Sequence, residues 1–346
     1  MIGIVYTWDN TGIDKLENSL AQGVQFSKIV LLNGEEWEYT ATVAGRKQGV
    51  NTLLSLAKQQ NIVIDIVTGS AKESPVLFKL KLFKKFKLHY WETFWLSHTY
   101  NIQQDNLKQQ TVEDYNFHIV SLNNRPHTHR CLMIDIMSKY NLIDNNAISW
   151  HEAKYDSEDF KDTLTSLARG YKYKYWAPKV LTLDSQYVTN GNQNLLPKEY
   201  WTSFCQLVIE STIDVTFITE KTSMPLFYMK PFIVASSKGY HRVLERMGFK
   251  LYTELFDYSF DSIGNTTKRF NAVAKNLARI NSLPKDELKT LYNKILDKLE
   301  YNKQHAIMLA TKLEQQPDIL KDIYKQTVGS DFEFDKRFNN IFLQYS

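Results

Sequence analysis

Glu220 and Lys221 stand side by side in Phe217-Ile-Thr-Glu-Lys-Thr-Ser-Met-Pro-Leu-Phe-Tyr-Met-Lys-Pro-Phe-Ile-Val234. The Thr-Glu-Lys triplet predicts the opening of a helix over residues 221–228, and Lys-Pro-Phe-Ile-Val predicts entry into a buried strand over residues 232–236. The first turn of a helix at the carboxyl edge of a parallel sheet collects unpaired backbone N–H groups, and phosphates bind there. An acid in that turn suits the positive end of the helix dipole, so Glu220 could be there for the helix alone. Lysine does not suit it unless an anion compensates. The carboxylate can accept ribose or sugar hydroxyls and the ammonium can neutralise a diphosphate, so the pair points to a nucleotide-sugar ligand.

A second constellation lies upstream, in Ser121-Leu-Asn-Asn-Arg-Pro-His-Thr-His-Arg130. A strand over residues 115–122 runs into a polar turn, and a helix over residues 129–140 follows. This places Asn123, Asn124, Arg125, His127 and Arg130 at a strand's carboxyl end, the edge where open α/β sheets bind ligands. Guanidinium grips a diphosphate well because its fork matches two oxygens at once. A capped turn whose arginines pair with surface carboxylates would look the same in sequence.

Transfer of a sugar to a hydroxyl also needs a base for the acceptor's proton. Asp9 follows the first strand at a ligand-facing edge. Glu92 lies in the aromatic cluster Tyr90-Trp-Glu-Thr-Phe-Trp95, where partial burial would raise its pKa. These two are the candidate bases, and either type of acid is commonly an ordinary surface residue. Other chemistries find no foothold. Asn33-Gly34 and Thr68-Gly69-Ser70 are lone turns rather than a Gly-rich phosphate loop, and no G-x-S-x-G elbow or kinase signature appears. No Cys/His grouping has zinc spacing, no Asp-x-Asp pair ends a strand, and neither metal nor cofactor is expected.

The elements that must position these residues read as α/β. Strands over residues 2–8, 27–32 and 61–67 alternate with helices over 13–22 and 45–60, the pattern of a parallel sheet covered on both faces. Residues 75–101 break that pattern with alternating apolar and basic residues. Helix and strand are both possible there, and the stretch is read as a half-buried helix with a solvated lysine face, or else as a basic surface that steers an anionic substrate. Downstream, a short strand is expected over 147–150, a helix over 199–205, a strand over 206–211 and a helix over 239–247 closed by Gly248. Long helices follow over 265–281 and 284–314, the latter with Pro284 near its start, and another over 318–328.

The chain has 346 residues, 43% of them hydrophobic and 23% charged, a length and balance that suit two globular cores. Its formal charge of +4 is too mild to argue for nucleic acid by itself. Cys131 and Cys205 lie in apolar segments and are read as buried thiols. No run approaches the roughly 20 apolar residues of a membrane span. Met1 leads straight into a strand, so the expectation is a soluble, cytoplasmic protein without a leader.

The series Gln206-Leu-Val-Ile-Glu-Ser211, Phe217-Ile-Thr-Glu-Lys-Thr222 and Lys230-Pro-Phe-Ile-Val234 resembles the nucleotide-binding block of the α1,3-fucosyltransferase family. It is similar in style to fucosyltransferase-like proteins of viruses and marine bacteria, and more distantly to exostosin-like transferases. Leu122–Arg130 and the tail Met247-Gly-Phe…Phe256-Asp-Tyr-Ser-Phe-Asp261 also fit the virus and marine type. The resemblance spans about residues 117–305. It implies a GT-B fold: two Rossmann-like domains facing a cleft, with a helical C-terminal tail. The domains would be 1–115 on the acceptor side, 116–315 for the nucleotide sugar, and 316–346 as a helix packing back toward the first.

The resemblance also implies an inverting, metal-independent transfer from a GDP- or UDP-sugar to a glycan or other hydroxyl acceptor. A nucleic acid is the alternative acceptor, and a non-catalytic binding relic the alternative outside catalysis. The implied donor-binding residues are Asn123, Arg125, Arg130, Glu210, Thr219, Glu220 and Lys221. Glu220 would take hydroxyls, Lys221 and Arg130 the diphosphate, and Arg125 would replace Arg130 if the register slips. Ser211 follows Glu210 without the Asn of the family's Glu-Asn-Ser. Ile213–Val215 replaces its usual acidic and aromatic residues, which puts GDP-fucose itself in question.

Overall fold

The computed structural model describes residues 2–6, 18, 21–25, 28–33, 55, 57–59, 61–68, 84–90, 115–123, 127–150, 196–213 and 216–310. The chain divides into two compact units, Met1–Asn101 with Ile307–Ser346, and Ile102–Ala306. Each is built on a four-stranded parallel sheet. The fold class is α/β.

In the first unit the sheet order is β1 (Ile2–Tyr6), β2 (Lys28–Asn33), β3 (Ile64–Thr68), β4 (Phe86–Tyr90), and every neighbouring pair is parallel. Ile64, Asp65, Ile66 and Val67 are all buried, so both faces of β3 are covered. For residues 86–90 of the lysine-rich stretch, β4 decides for strand over the half-buried helix. Phe86 is buried and Lys87 exposed, the alternation of a strand at the end of a sheet with one wet side. Asp65 pairs with His89 at 2.6 Å on the same side of the two strands.

In the second unit the order is β6 (Ala147–Ile148), β5 (Phe117–Ser121), β7 (Ser203–Ile209), β8 (Phe232–Ala235), again all parallel. All of β7 and β8 is buried, as expected for parallel strands rich in Val, Ile, Leu and Phe whose two faces are covered. Phe204 and Cys205 belong to β7, which corrects the expected helix over 199–205. That helix is only one turn, α2 (Lys198–Trp201). Before it comes α1 (Thr128–Lys139), and after it α3 (Glu220–Phe227), α4 (Tyr240–Arg246), α5 (Thr266–Asn281) and α6 (Lys285–Ala310). α5 packs on α1, β5 and β8 with Phe270, Val273, Ala274 and Leu277 fully buried. Asn265 caps it, its Oδ1 accepting from the Lys268 N–H at 2.9 Å.

Gly248 closes α4 at φ +100°, and a Cβ there would lie 2.7 Å from Nε2 of His305 on α6. Glycine is therefore required on two counts. Both cysteines are buried thiols. Among the described residues no helix is long and apolar enough to cross a membrane. The expected helix over 318–328 and the tail segment 316–346 lie outside the described residues.

Candidate functional site

The order β6-β5-β7-β8 contains a reversal. From β5 the chain goes to β6 on one side, while β7 and β8 lie on the other. Beyond the carboxyl ends of β5 and β7, where the two connections diverge, an open parallel sheet leaves a crevice that binds ligands. α1 follows β5 across this edge and α3 follows β7. The crevice is thus bounded by the starts of two helices whose dipoles both present positive ends.

Glu210, the first residue past β7, is fully buried and organises the edge. Its Oε2 accepts from Thr219 Oγ1 at 2.6 Å. Its Oε1 accepts from Thr222 Oγ1 at 2.6 Å, the Tyr240 hydroxyl at 3.0 Å and the Thr219 N–H at 3.2 Å. One carboxylate therefore ties β7 to the cap and first turn of α3 and to the first residue of α4. Thr219 has extended backbone and caps α3, its Oγ1 accepting from the Lys221 N–H at 3.3 Å. The connecting loop is pinned to the end of β8, where Ser236 Oγ donates to the Thr212 carbonyl and Thr216 bonds Ser237. The crevice floor is rigid.

From β5's side, His129 donates through Nε2 to the Glu210 carbonyl at 2.7 Å. That bond sews the first turn of α1 to the end of β7. Burial, and after it the Arg130 guanidinium, push the His129 pKa down to about 3, so its ring is neutral at ordinary pH. Arg130 is itself buried, at 3% exposure. It lies within electrostatic reach of both His129 and Lys221.

The Lys221 ammonium donates to Glu220 Oε1 at 2.7 Å, Thr219 Oγ1 at 3.3 Å and Ser211 Oγ at 3.4 Å. Burial works against its charge, but Glu220 and then Glu210 outweigh that and the opposing Arg130, so its pKa is raised. Arg130 and Lys221 thus share the starts of two helices with the carboxylates of Glu220 and Glu210 beside them, and an arriving anion would compete with Glu220 for the Lys221 ammonium. Asn123 completes the edge from β5, its N–H donating to Ser149 Oγ at 2.8 Å.

Of the residues expected from sequence, Arg130, Glu210, Thr219, Glu220 and Lys221 come together at this reversal, and Asn123 stands on the same edge. Glu210 and Thr219 use their oxygens inside the protein, so their place is beneath the crevice rather than in it. Arg125, Asn124, Asp9 and Glu92 lie outside the described residues. Sequence reasoning missed Thr222, Tyr240 and the fixing role of His129. His129 sits within the Leu122–Arg130 stretch, but nothing in its spacing announces an acceptor 81 residues away. The tail motif is structural: Asp261 accepts from the N–H groups of His241 and Arg242 and from His241 Nδ1, holding the start of α4.

No protein-family model matches the chain, and no curated protein does. Two solved structures resemble it. One is a DNA-modifying β-glucosyltransferase, studied with and without uridine diphosphoglucose. It is 9% identical at a TM-score of 0.39, with 93% of this chain and 98% of that one covered. The other is a point mutant of the T4 phage enzyme in complex with UDP-glucose, also 9% identical at 0.39, covering 87% and 84%. Likeness at this level leaves the function to be argued from the site.

Proposed function

We propose that the chain is a glycosyltransferase of the GT-B type. It moves a hexosyl or fucosyl group from a nucleotide sugar to an acceptor hydroxyl, with inversion and without a metal. The observation that carries this reading is the meeting of Arg130 and Lys221, both charged and both held in place, at the β5/β7 reversal. A pyrophosphate suits two cations at two helix starts, taking the place of Glu220 on the Lys221 ammonium.

In this reaction the acceptor oxygen attacks the anomeric carbon as the bond from that carbon to the diphosphate oxygen breaks. Arg130 and Lys221 stabilise the charge that develops on the leaving diphosphate. Glu220 exchanges its bond to Lys221 for ribose or sugar hydroxyls when the phosphates arrive. The acceptor's proton goes to a carboxylate of the first unit, Asp9 or Glu92. Glu210 and Thr219 act through Lys221, as positioning residues.

Lys221→Ala and Arg130→Ala should each weaken nucleoside diphosphate binding by roughly 1.5–3 kcal/mol, the range for charge-assisted hydrogen bonds. Calorimetry with UDP and GDP reads this directly. Unchanged affinity in a folded variant refutes the assignment. A nucleic-acid acceptor is a second reading, favoured by the exposed Lys84 and Lys87 beside Lys85 at the first unit's β4. It requires acceptor binding that falls steeply with salt.

A further inference from the structure

Asn123 lies two residues past β5 and is 1% exposed. Its Nδ2 turns back on Ser121, donating to Oγ at 3.1 Å and to the carbonyl at 3.4 Å. The flipped amide would set Oδ1 against that carbonyl, acceptor against acceptor, so chemistry fixes the orientation. With Nδ2 directed back toward the strand, Oδ1 is the prong of the fork that faces away from Ser121. Oδ1 is fully buried and has no hydrogen-bond partner. Folded proteins satisfy nearly all buried polar atoms, and an exception at a ligand-binding sheet edge calls for a partner from outside the chain.

We infer that Asn123 Oδ1 is a specificity-determining acceptor, taking a hydrogen bond from a donor group of the nucleotide whose diphosphate sits at Arg130 and Lys221. This rests on the nucleotide-sugar reading and refines it. An oxygen that only accepts needs a ligand with a hydrogen to give. Three parts of a nucleotide qualify: a sugar hydroxyl, present whatever the base, the ring imide N–H of uracil or guanine, and the exocyclic amine of cytosine, adenine or guanine. In place of the imide N–H, cytosine and adenine carry a bare acceptor nitrogen, which would oppose Oδ1 there. The site therefore selects for a hydrogen-bond donor beside the phosphates, and not for phosphate charge alone.

The test is calorimetry on the full chain, wild type and Asn123→Ala, with UDP, GDP, CDP, ADP and inorganic pyrophosphate. The variant should bind the tightest nucleotide roughly tenfold more weakly, the scale of one good hydrogen bond. Its pyrophosphate affinity should stay within about twofold, because pyrophosphate offers Oδ1 none of these groups. Equal losses for UDP and CDP, or for GDP and ADP, identify a hydroxyl; a loss confined to UDP identifies the imide, one confined to CDP or ADP the exocyclic amine, and one confined to GDP the guanine N–H edge. Parallel losses for nucleotide and pyrophosphate overturn the inference, since Asn123 would then only shape the turn. Unchanged nucleotide affinity also overturns it, since a water would then satisfy Oδ1. A wild-type protein that binds none of the five defeats the nucleotide reading itself.

Discussion

The two sheets of this chain are alike in strand number and direction and differ in order. Among the described strands, the first unit runs β1-β2-β3-β4 without reversal, each new strand added to the same edge. The second reverses between β5 and β7, and the charged constellation lies at that reversal. Fold class alone would not have told the two apart. Strand order does, because diverging connections open a crevice where successive ones cover the edge. The first unit also has a paired acid and base, Asp65 with His89, yet these stand on neighbouring strands, without the cluster of two cations and two carboxylates seen in the second among the described residues.

The strongest way to break this contrast is to remove Glu210. Glu210→Ala leaves two threonine hydroxyls, a backbone N–H and a tyrosine hydroxyl without their shared acceptor. A loss of about 3–5 kcal/mol is expected, as when a buried hydrogen-bonded carboxylate is deleted. Urea unfolding measures the total, and hydrogen exchange locates it. Protection should fall in β7 and β8 and persist in β2 and β3. Uniform loss across both units would contradict independent organisation.

The next effect is in pH. Lys230 is fully buried before β8, donates to the Ser203 carbonyl at 2.5 Å and lies over the Tyr200 ring. Burial pulls its pKa down to about 7. A lysine that binds its proton less well when folded makes the unfolded chain the better base. Stability should therefore rise by several kcal/mol as pH climbs from about 7 to about 10.4. Lys230→Met should flatten that rise. His129 does the same lower down, costing stability as pH falls from about 6.5 toward 3. Chemical unfolding across pH 4–10 reads both windows, and a flat wild-type curve above pH 7 would show Lys230 reaching water.

The smallest effect sharpens the comparison from the other side. Asp65→Asn weakens the hydrogen bond with His89 in the first unit and should cost only about 0.5–1.5 kcal/mol. It should leave nucleoside diphosphate affinity unchanged by calorimetry. A parallel drop in affinity would mean the first unit holds part of the diphosphate site.

The regular strands are legible because parallel strands buried on both faces are written as apolar runs, as in Ser203–Ile209 and Phe232–Ala235. Residues 86–90 mislead because Phe-Lys-Leu-His alternates with period two while its lysines also suit a solvated helix face. Phe204 and Cys205 mislead because Lys198–Trp201 begins a helix that stops after one turn, and nothing apolar marks the stop. Glu220 and Lys221 are legible because a helix start is a local event. Glu210 reads as touching the ligand because its partners, Thr222 and Tyr240, arrive 12 and 30 residues later. Its role is a tertiary fact with no local signature.

The pairing of Phe117 with Ser203 joins positions 86 apart in the chain, by the difference of their numbers. At synthesis rates of about 5–20 residues per second, β5 leaves the ribosome roughly 4–17 s before the strand it must lie beside. A nascent chain therefore spends that interval with an apolar strand edge uncovered. No nucleotide can steady it, since half the residues that would grip the phosphates have yet to be made. This protein should then lean on chaperones early and on its ligand only late.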